Sequence, residues 1–155
     1  MPTSLQADAS QKMNFTWKYE ERDVDWEALS NLYKIAPLGE KKAGDLQTAF
    51  SNSRYKCFIF RESRLIGVGR ALADGVDCSY ICDIAVHPDH QGTGLGKSIV
   101  QKLTELSKGH QKIILYANPG KESFYKKLGF KKMNTAMAMF QDETHALNAG
   151  LIHET

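Results

Sequence analysis

The sequence predicts an α/β (α+β) fold with a mixed central sheet of about six to seven strands and about four flanking helices. Three apolar runs, 55–61, 65–73 and 78–86, follow one another with short polar turns between them, which is typical of an antiparallel meander. A helical apolar period then begins at Leu95, and a short apolar run at 112–117 follows it. Because the order strand, helix, strand implies a parallel right-handed crossover, the sheet should contain both kinds of pairing.

The chain is long enough for one domain with its own hydrophobic core. It has 155 residues, of which 42% are hydrophobic, and it shows no internal repeat or low-complexity linker. We expect residues 14–141 to form this domain. Residues 1–13 are polar and small and should be a flexible leader, and residues 142–155 should be a C-terminal tail or short helix.

Composition excludes several classes of protein. A net charge of +2 is too small a basic excess to indicate a nucleic-acid partner. No apolar run approaches the roughly 20 residues that cross a bilayer, and the N-terminal stretch lacks the apolar core of a secretory signal. The three cysteines, Cys57, Cys78 and Cys82, lie in apolar strand-like contexts without the spacing of a zinc site. We therefore expect buried thiols in a reducing compartment, a cytoplasmic location, and neither a membrane nor a metal partner.

Local signals mark the elements before the meander. Large and polar residues alternate over 15–19, which predicts a first strand. Asp25 is placed to cap a helix that ends before Pro37, because the residue before a proline disfavours the helical conformation. A second helix is predicted within residues 40–53, followed by a polar break.

Similar signals mark the elements after the loop. The helix that starts at Leu95 should stop at Gly109. Asn118 and Pro119 resemble an N-cap and a first helical residue, which predicts a helix that runs to Gly129. Two short apolar runs, 130–133 and 136–140, then predict a closing hairpin.

A glycine-rich loop follows the apolar strand 78–86. Pro88 cannot donate to a sheet ladder, so pairing should end near His87. The loop reads Gln91-Gly92-Thr93-Gly94-Leu95-Gly96 and leads directly into a helix. A strand, a glycine loop and a helix in this order direct backbone N–H groups and a helix N-terminus at phosphate. The stretch therefore predicts a site for a phosphorylated ligand.

Other interpretations of this loop can be compared with its residues. A Walker A loop needs glycine at position 91, where Gln91 stands, and a dinucleotide fingerprint needs the spacing G-x-G-x-x-G. The observed glycines, Gly92, Gly94 and Gly96, have neither pattern. A glycine-rich turn without a ligand remains open on this stretch alone.

Two motifs together resemble a known family. The loop has the form Q-x-x-G-x-G, and residues 124–130 have the form F-Y-x-x-L-G-F, with one helix and one strand between them. In this the chain resembles the GCN5-related N-acetyltransferases (GNAT), which transfer acetyl from acetyl-CoA to an amine, and the resemblance covers residues 78–140. It implies the GNAT fold, in which the strand before the loop carries a β-bulge and splays from the next parallel strand.

The resemblance implies where acetyl-CoA would bind. The backbone of Ile84, Ala85 and Val86 would pair with the pantetheine arm, and the N–H groups from Gly92 to Gly96 would hold the pyrophosphate. Lys97 would add charge or be only a solvated lysine, and Asn118 would contact the cofactor, cap a helix, or do both. The implied acetyl-CoA-binding residues are Ile84, Ala85, Val86, Gln91, Gly92, Thr93, Gly94, Leu95, Gly96, Lys97, Asn118 and Tyr125.

Two catalytic candidates follow from the same resemblance. Tyr125 matches the family tyrosine that protonates the leaving CoA thiolate, although it could instead only pack against Phe124. Asp83 is an acid inside an apolar strand and is the first candidate for the base that deprotonates the amine, directly or through water. It could equally be a buried carboxylate that holds the substrate ammonium or a neighbouring N–H. His87 and His90 are expected on the loop surface, so the base stays unassigned.

The acceptor is less well determined. The run 82–86, the helix after Ala117 and the run 137–140 are most similar to a small-amine branch of the family that includes plant-type serotonin and arylalkylamine acetyltransferases, which favours a small primary amine. A similar acid-containing strand also occurs in glucosamine-6-phosphate acetyltransferases. A protein or peptide acceptor, or a non-catalytic acyl-CoA-binding module, remains an alternative, and a homodimer is compatible with the resemblance. Several apolar residues suit either an aromatic amine or an ordinary core, and the core is favoured: Trp26, Tyr33, Phe50, Met137 and Met139.

Overall fold

A computed structural model describes residues 14–154, which divide into two compact units. The first unit ends at Leu115 and the second begins at Tyr116. The predicted leader, residues 1–13, lies outside the described residues. Among the described residues, no helix combines the length and the apolar character needed to span a membrane.

The first unit is built on one five-stranded sheet with the strands in chain order. Its first four strands pair antiparallel, and the fifth pairs parallel with the fourth, which confirms the predicted mixed sheet and crossover. The sheet has fewer strands than the six to seven expected, because the predicted closing hairpin does not form. The strands are β1 (Phe15–Lys18), β2 (Tyr55–Arg61), β3 (Arg64–Ala73), β4 (Cys78–Val86) and β5 (Lys112–Ile114).

Three helices accompany this sheet: α1 (Trp26–Ile35), α2 (Ala43–Ser51) and α3 (Leu95–Leu106). The Asp25 carboxylate accepts hydrogen bonds from the N–H groups of Glu27 and Ala28, each at 3.1 Å, so the predicted N-cap is confirmed. A short 3₁₀ turn, Pro88–His90, lies between β4 and the glycine loop.

The helices cover both faces of the sheet. Side chains of α1 and α2 form one apolar cluster with Phe58, Val68 and Ala85. Residues next to these in the strands point to the other face, where α3 packs on glycines. A Cβ on Gly69 would lie 2.7 Å from the Ile99 side chain, so this glycine allows α3 to approach the sheet closely. Tyr33 and Phe50 are fully buried in the first cluster, and Trp26 packs on it half-buried, as expected of core residues.

The second unit contains two short helices, α4 (Glu122–Lys127) and α5 (Glu143–Asn148). The expected start of α4 at Asn118 is wrong. The Asn118 carbonyl accepts from the Lys121 N–H at 3.0 Å, and Gly120 between them has φ of 92°, so Pro119 and Gly120 form the centre of a tight turn. A residue at positive φ cannot continue a helix, and the helix therefore begins only at Glu122.

The predicted closing hairpin is also wrong. In the described part of the chain, residues 130–133 and 136–140 form no strand. Met137 and Met139 are fully exposed, so they belong to no core. Two short strands are stable in water only when one face packs against other structure. Without such burial, the backbone ladder of this hairpin has nothing to stabilise it.

Candidate active site

The strand β4 carries a β-bulge at its centre. Two of its residues, Asp83 and Ile84, stand opposite a single residue of β3, Gly69. Asp83 takes a φ of 54°, a left-handed conformation that aspartate adopts more readily than most residues. The bulge implied by the family resemblance is therefore confirmed. Bulges of this kind reorient side chains next to functional sites.

The pairing of β4 with its parallel neighbour ends before the bulge. The strand β5 pairs with residues 78–80 only, so residues 81–86 have no parallel partner strand among the described residues. Within this stretch, the Val86 carbonyl accepts a hydrogen bond from the Gln91 side chain at 3.0 Å. The residues implied for the pantetheine arm, Ile84, Ala85 and Val86, thus lie on the part of β4 that has no parallel partner strand among the described residues.

The backbone N–H groups of the glycine loop form the second part of the site. Gly92 and Gly94 have φ of 78° and 88°, and a Cβ on either would meet no atom within 4 Å. Among the described residues, no protein oxygen accepts a hydrogen bond from the N–H groups of residues 92–97. These groups include the first turn of α3, where a helix is electropositive. Gly92 and Gly94 are thus required by the backbone conformation and not by packing. The loop offers a row of hydrogen-bond donors.

The side chains of the loop support this backbone. Gln91 Nε2 donates to the carbonyls of Val86 and Ala36, at 3.0 and 3.4 Å, and so ties the loop to β4 and to the end of α1. The Thr93 hydroxyl donates to the His90 carbonyl. Leu95 is buried beneath the loop, whereas Lys97 is exposed. Lys97 has no side-chain partner among the described residues and is therefore open for a ligand.

A charged cluster surrounds Asp83. Its Oδ2 accepts from Arg70 Nε at 2.8 Å, and its Oδ1 lies 3.7 Å from Lys41 Nζ. Arg70 also donates to the Ser53 hydroxyl at 3.2 Å. The Tyr33 hydroxyl donates to the Asp83 main-chain carbonyl at 2.6 Å. Burial, followed by the Asp83 charge, raises the pKa of Tyr33, so this hydroxyl keeps the proton that it donates.

Sequence reasoning missed Arg70 and Lys41, and it treated Tyr33 only as an acceptor-pocket or core residue. One signal was present, because Arg70 is a lone charge inside the apolar run of β3, as Asp83 is inside β4. In the observed register Arg70 faces Cys82. The bulge at the next residue brings the Asp83 carboxylate to the guanidinium.

The expected surface position of two loop histidines is wrong. His87 and His90 are both buried, because the 3₁₀ turn folds this segment against the sheet. His87 Nδ1 accepts from the Asp89 N–H at 3.1 Å, and the His90 ring packs edge-on against Phe15. Burial lowers the pKa of His90, which favours its neutral form. Both histidines therefore help to shape the turn before the glycine loop.

Two of the three thiols in the sheet, those of Cys57 and Cys82, are unreactive at neutral pH. Burial raises the pKa of Cys57 to about 12 and that of Cys82 to about 11. Neither is a thiolate at neutral pH, so neither is activated as a nucleophile. Within residues 14–154, no cluster of three or more His, Cys, Asp or Glu side chains is arranged to hold a metal ion.

The second unit holds the other catalytic candidate. Tyr125 lies on α4, and its ring makes edge-on contacts with Phe124 and Phe130, at centroid distances of 5.0 and 6.0 Å. Burial raises the pKa of the Tyr125 hydroxyl above its ordinary value of about 10. This group therefore keeps its proton at neutral pH. Asn118, also in this unit, is exposed and caps no helix.

Comparison with known proteins now identifies the family. A family model described as "Acetyltransferase (GNAT) family" matches residues 19–130. The chain belongs to this family. The bulged strand, the glycine loop and the parallel crossover are thus parts of a GNAT-family domain.

Individual relatives agree with this assignment. An uncharacterized N-acetyltransferase, ycf52-like, of Prochlorococcus marinus is 31% identical over 115 residues, which are 70% of this chain and 64% of that protein. Serotonin N-acetyltransferase 2, chloroplastic, of Oryza sativa is 39% identical over 69 residues, 43% of this chain and 34% of that protein. The chain spans less than two thirds of the length of these curated relatives.

Solved structures show the same fold. A probable acetyltransferase of methicillin-resistant Staphylococcus aureus superposes with a TM-score of 0.71 at 23% identity, over 81% of this chain and 97% of that one. The mixed α/β architecture of this chain is therefore a GNAT fold.

Proposed function

We propose that this acetyltransferase moves acetyl from acetyl-CoA to the nitrogen of a small primary amine, by direct attack while both substrates are bound. One observation carries the proposal: the part of β4 without a parallel partner leads through a tight turn into a row of N–H groups at the start of α3, for which the described residues offer no acceptor. An extended arm that ends in a pyrophosphate matches this order of strand edge and donor row.

The glycine loop fits the pyrophosphate of acetyl-CoA. The N–H groups of residues 92–97 lack protein acceptors among the described residues, and each would otherwise need water or a ligand. Anions bind such helix N-termini through these donors and through the helix dipole. Because no side chain projects from Gly92 or Gly94, a phosphate can approach the backbone closely.

The proposed chemistry needs few side chains. The neutral amine nitrogen attacks the thioester carbonyl carbon and loses one proton, the carbon–sulfur bond breaks, and the sulfur leaves as a thiolate that takes up a proton. We assign Tyr125 as the proton donor, because it stands in the F-Y-x-x-L-G-F motif and its raised pKa keeps it protonated. We assign Asp83 to the binding of the acceptor amine. Its carboxylate either holds this amine as an ammonium ion or deprotonates it, directly or through water.

Two observations support a small amine as acceptor. One relative carries the name serotonin N-acetyltransferase, and serotonin is an arylalkylamine. The second is the carboxylate of Asp83, which is 23% exposed and can meet an ammonium group. The cytoplasmic location and the homodimer remain predictions.

The proposal is tested by following the release of free CoA thiol with a panel of acceptors. The panel contains arylalkylamines, polyamines, amino sugars and peptides that present lysine or a free N-terminus. We expect turnover with a small amine, and mass spectrometry should show one added acetyl group on its nitrogen. Turnover with peptides alone would favour protein acetylation. Tight acetyl-CoA binding without turnover of any acceptor would favour a regulatory binding module.

A further inference from the structure

The two oxygens of the Asp83 carboxylate are held very differently. Oδ2 accepts from Arg70 at 2.8 Å, and the Arg70 side chain is only 15% exposed. Oδ1 has Lys41 as its neighbour at 3.7 Å, which is beyond hydrogen-bonding distance, and the Lys41 side chain is 32% exposed. Arg70 is further fixed by its hydrogen bond to Ser53. One oxygen is therefore committed to the protein, and the other has only a loose and movable partner.

The surroundings of the Lys41 ammonium are those of a binding site for an alkylammonium ion. Besides the Asp83 carboxylate, the ring of Tyr33 lies 5.5 Å from Lys41 Nζ. A carboxylate and an aromatic face are the two groups that recognise an ammonium. Tyr33 is fully buried and bonded to the Asp83 carbonyl, so these groups keep their places when Lys41 moves.

We propose that Asp83 Oδ1 and the Tyr33 ring form the subsite for the acceptor's ammonium group, and that Lys41 fills this subsite until the acceptor displaces it. This inference rests on the proposed function and narrows its substrate class to primary amines that arrive as cations. Asp83 directly precedes Ile84, where the part of β4 proposed for the pantetheine arm begins. The acceptor's ammonium group would thus lie beside the strand proposed to carry the thioester.

Charge explains why Lys41 would set specificity. With Lys41 in place, two cations surround one carboxylate, so the cluster repels a further cation. An acceptor ammonium must therefore compete with Lys41. Conversely, a substrate with a carboxylate beside its amine would bind more tightly when Lys41 is present, because the carboxylate could pair with the Lys41 ammonium.

The test compares Lys41→Met with Lys42→Met. Methionine keeps length but removes charge, and Lys42 is an exposed neighbour whose side chain makes no ion pair among the described residues. The probe is phenethylamine, titrated by calorimetry into the CoA-loaded protein. We expect phenethylamine to bind two- to fivefold more tightly to Lys41→Met than to the wild type. This factor corresponds to the free energy of a partly exposed ion pair, which the acceptor no longer has to break. Lys42→Met should match the wild type, and Lys41→Arg should restore weaker binding.

Further arms separate charge from shape and from catalysis. The neutral analogue 2-phenylethanol should show no dependence on Lys41, and KM for acetyl-CoA should not change. In turnover, Lys41→Met should lower KM for the amine with kcat unchanged. The inference is overturned if Lys41→Met binds phenethylamine no better than the wild type, or if neither protein binds it. Improved binding without turnover in any variant would instead refute the proposed function alone.

Discussion

The sharpest test of the glycine loop is the substitution Gly94→Ala. Gly94 is the residue before α3, with φ of 88°, and its carbonyl accepts the first hydrogen bond of the helix, from the Ser98 N–H. A Cβ there would meet no protein atom within 4 Å. The substitution therefore adds one methyl group in open space where the phosphate is proposed to lie.

The two expected effects of this change can be estimated separately. Holding alanine in the left-handed conformation costs about 1 to 2 kcal/mol of unfolding free energy. In a chain of this size, that lowers Tm by about 2–8 °C. If the methyl group displaces the phosphate from one or two N–H groups, each lost charge-assisted hydrogen bond costs about 1.5 to 3 kcal/mol. Binding of acetyl-CoA should then weaken by about 10- to 100-fold or more.

The assay needs a control with the same backbone strain elsewhere. Gly109 lies beyond the other end of α3, has φ of 102°, and also has no atom within 4 Å of a built Cβ. Thermal melts of Gly94→Ala and Gly109→Ala should show similar losses of stability. Calorimetric titration with acetyl-CoA should show weakened binding for Gly94→Ala alone.

Two results would refute the reasoning. If Gly94→Ala is destabilised as expected but binds acetyl-CoA within threefold of the wild type, the loop does not hold the pyrophosphate. If Gly109→Ala weakens binding equally, the effect of Gly94→Ala comes from general destabilisation and not from the lost contact.

Three further predictions concern the packing and the site. Gly69→Ala should lower the free energy of unfolding in urea by about 1–3 kcal/mol, because the added methyl group overpacks against α3. Gly44→Ala lies in open space within α2 and should raise this free energy by up to about 1 kcal/mol. If both variants change stability by the same amount and in the same direction, the close packing of α3 on Gly69 is contradicted. Tyr125→Phe should lower kcat at least about tenfold without changing the affinity for acetyl-CoA. In the wild type, the loss of kcat that follows deprotonation of Tyr125 should occur above about pH 10. An unchanged kcat in Tyr125→Phe would show that Tyr125 is only a packing residue. Arg70→Met and Asp83→Asn should couple by about 1–2 kcal/mol in a double-mutant cycle of unfolding, and additive effects would show that their ion pair stabilises nothing.

Features that depend on neighbouring residues were predicted well. The Asp25 cap and the positions of β2 and β4 agree with the sequence patterns. Each depends on a side chain or an apolar period acting over a few residues, so a short window contains the information. The start of α4 failed within such a window, because Asn118 and Pro119 were weighed without Gly120, whose positive φ makes a turn.

Features that depend on distant burial were predicted poorly. Residues 130–140 have strand-like composition, but composition cannot say whether an apolar face finds something to pack on. His87 and His90 have the look of polar loop residues, and only the packing of the 3₁₀ turn buries them. Burial is a property of the whole chain, and no local pattern reports it.

By itself, the sequence determined the order of the elements, the glycine loop and the two family motifs, because spacing along the chain is sufficient to specify a turn, a helix start or a row of donors. Only the tertiary structure decided the surroundings of Asp83. Its partners Lys41, Arg70 and Tyr33 come from three other segments, and the bulge changes which of them its carboxylate can reach. A single extra residue in one strand redirects a side chain, and the pairing that results depends on strand register, which single-residue preferences do not encode.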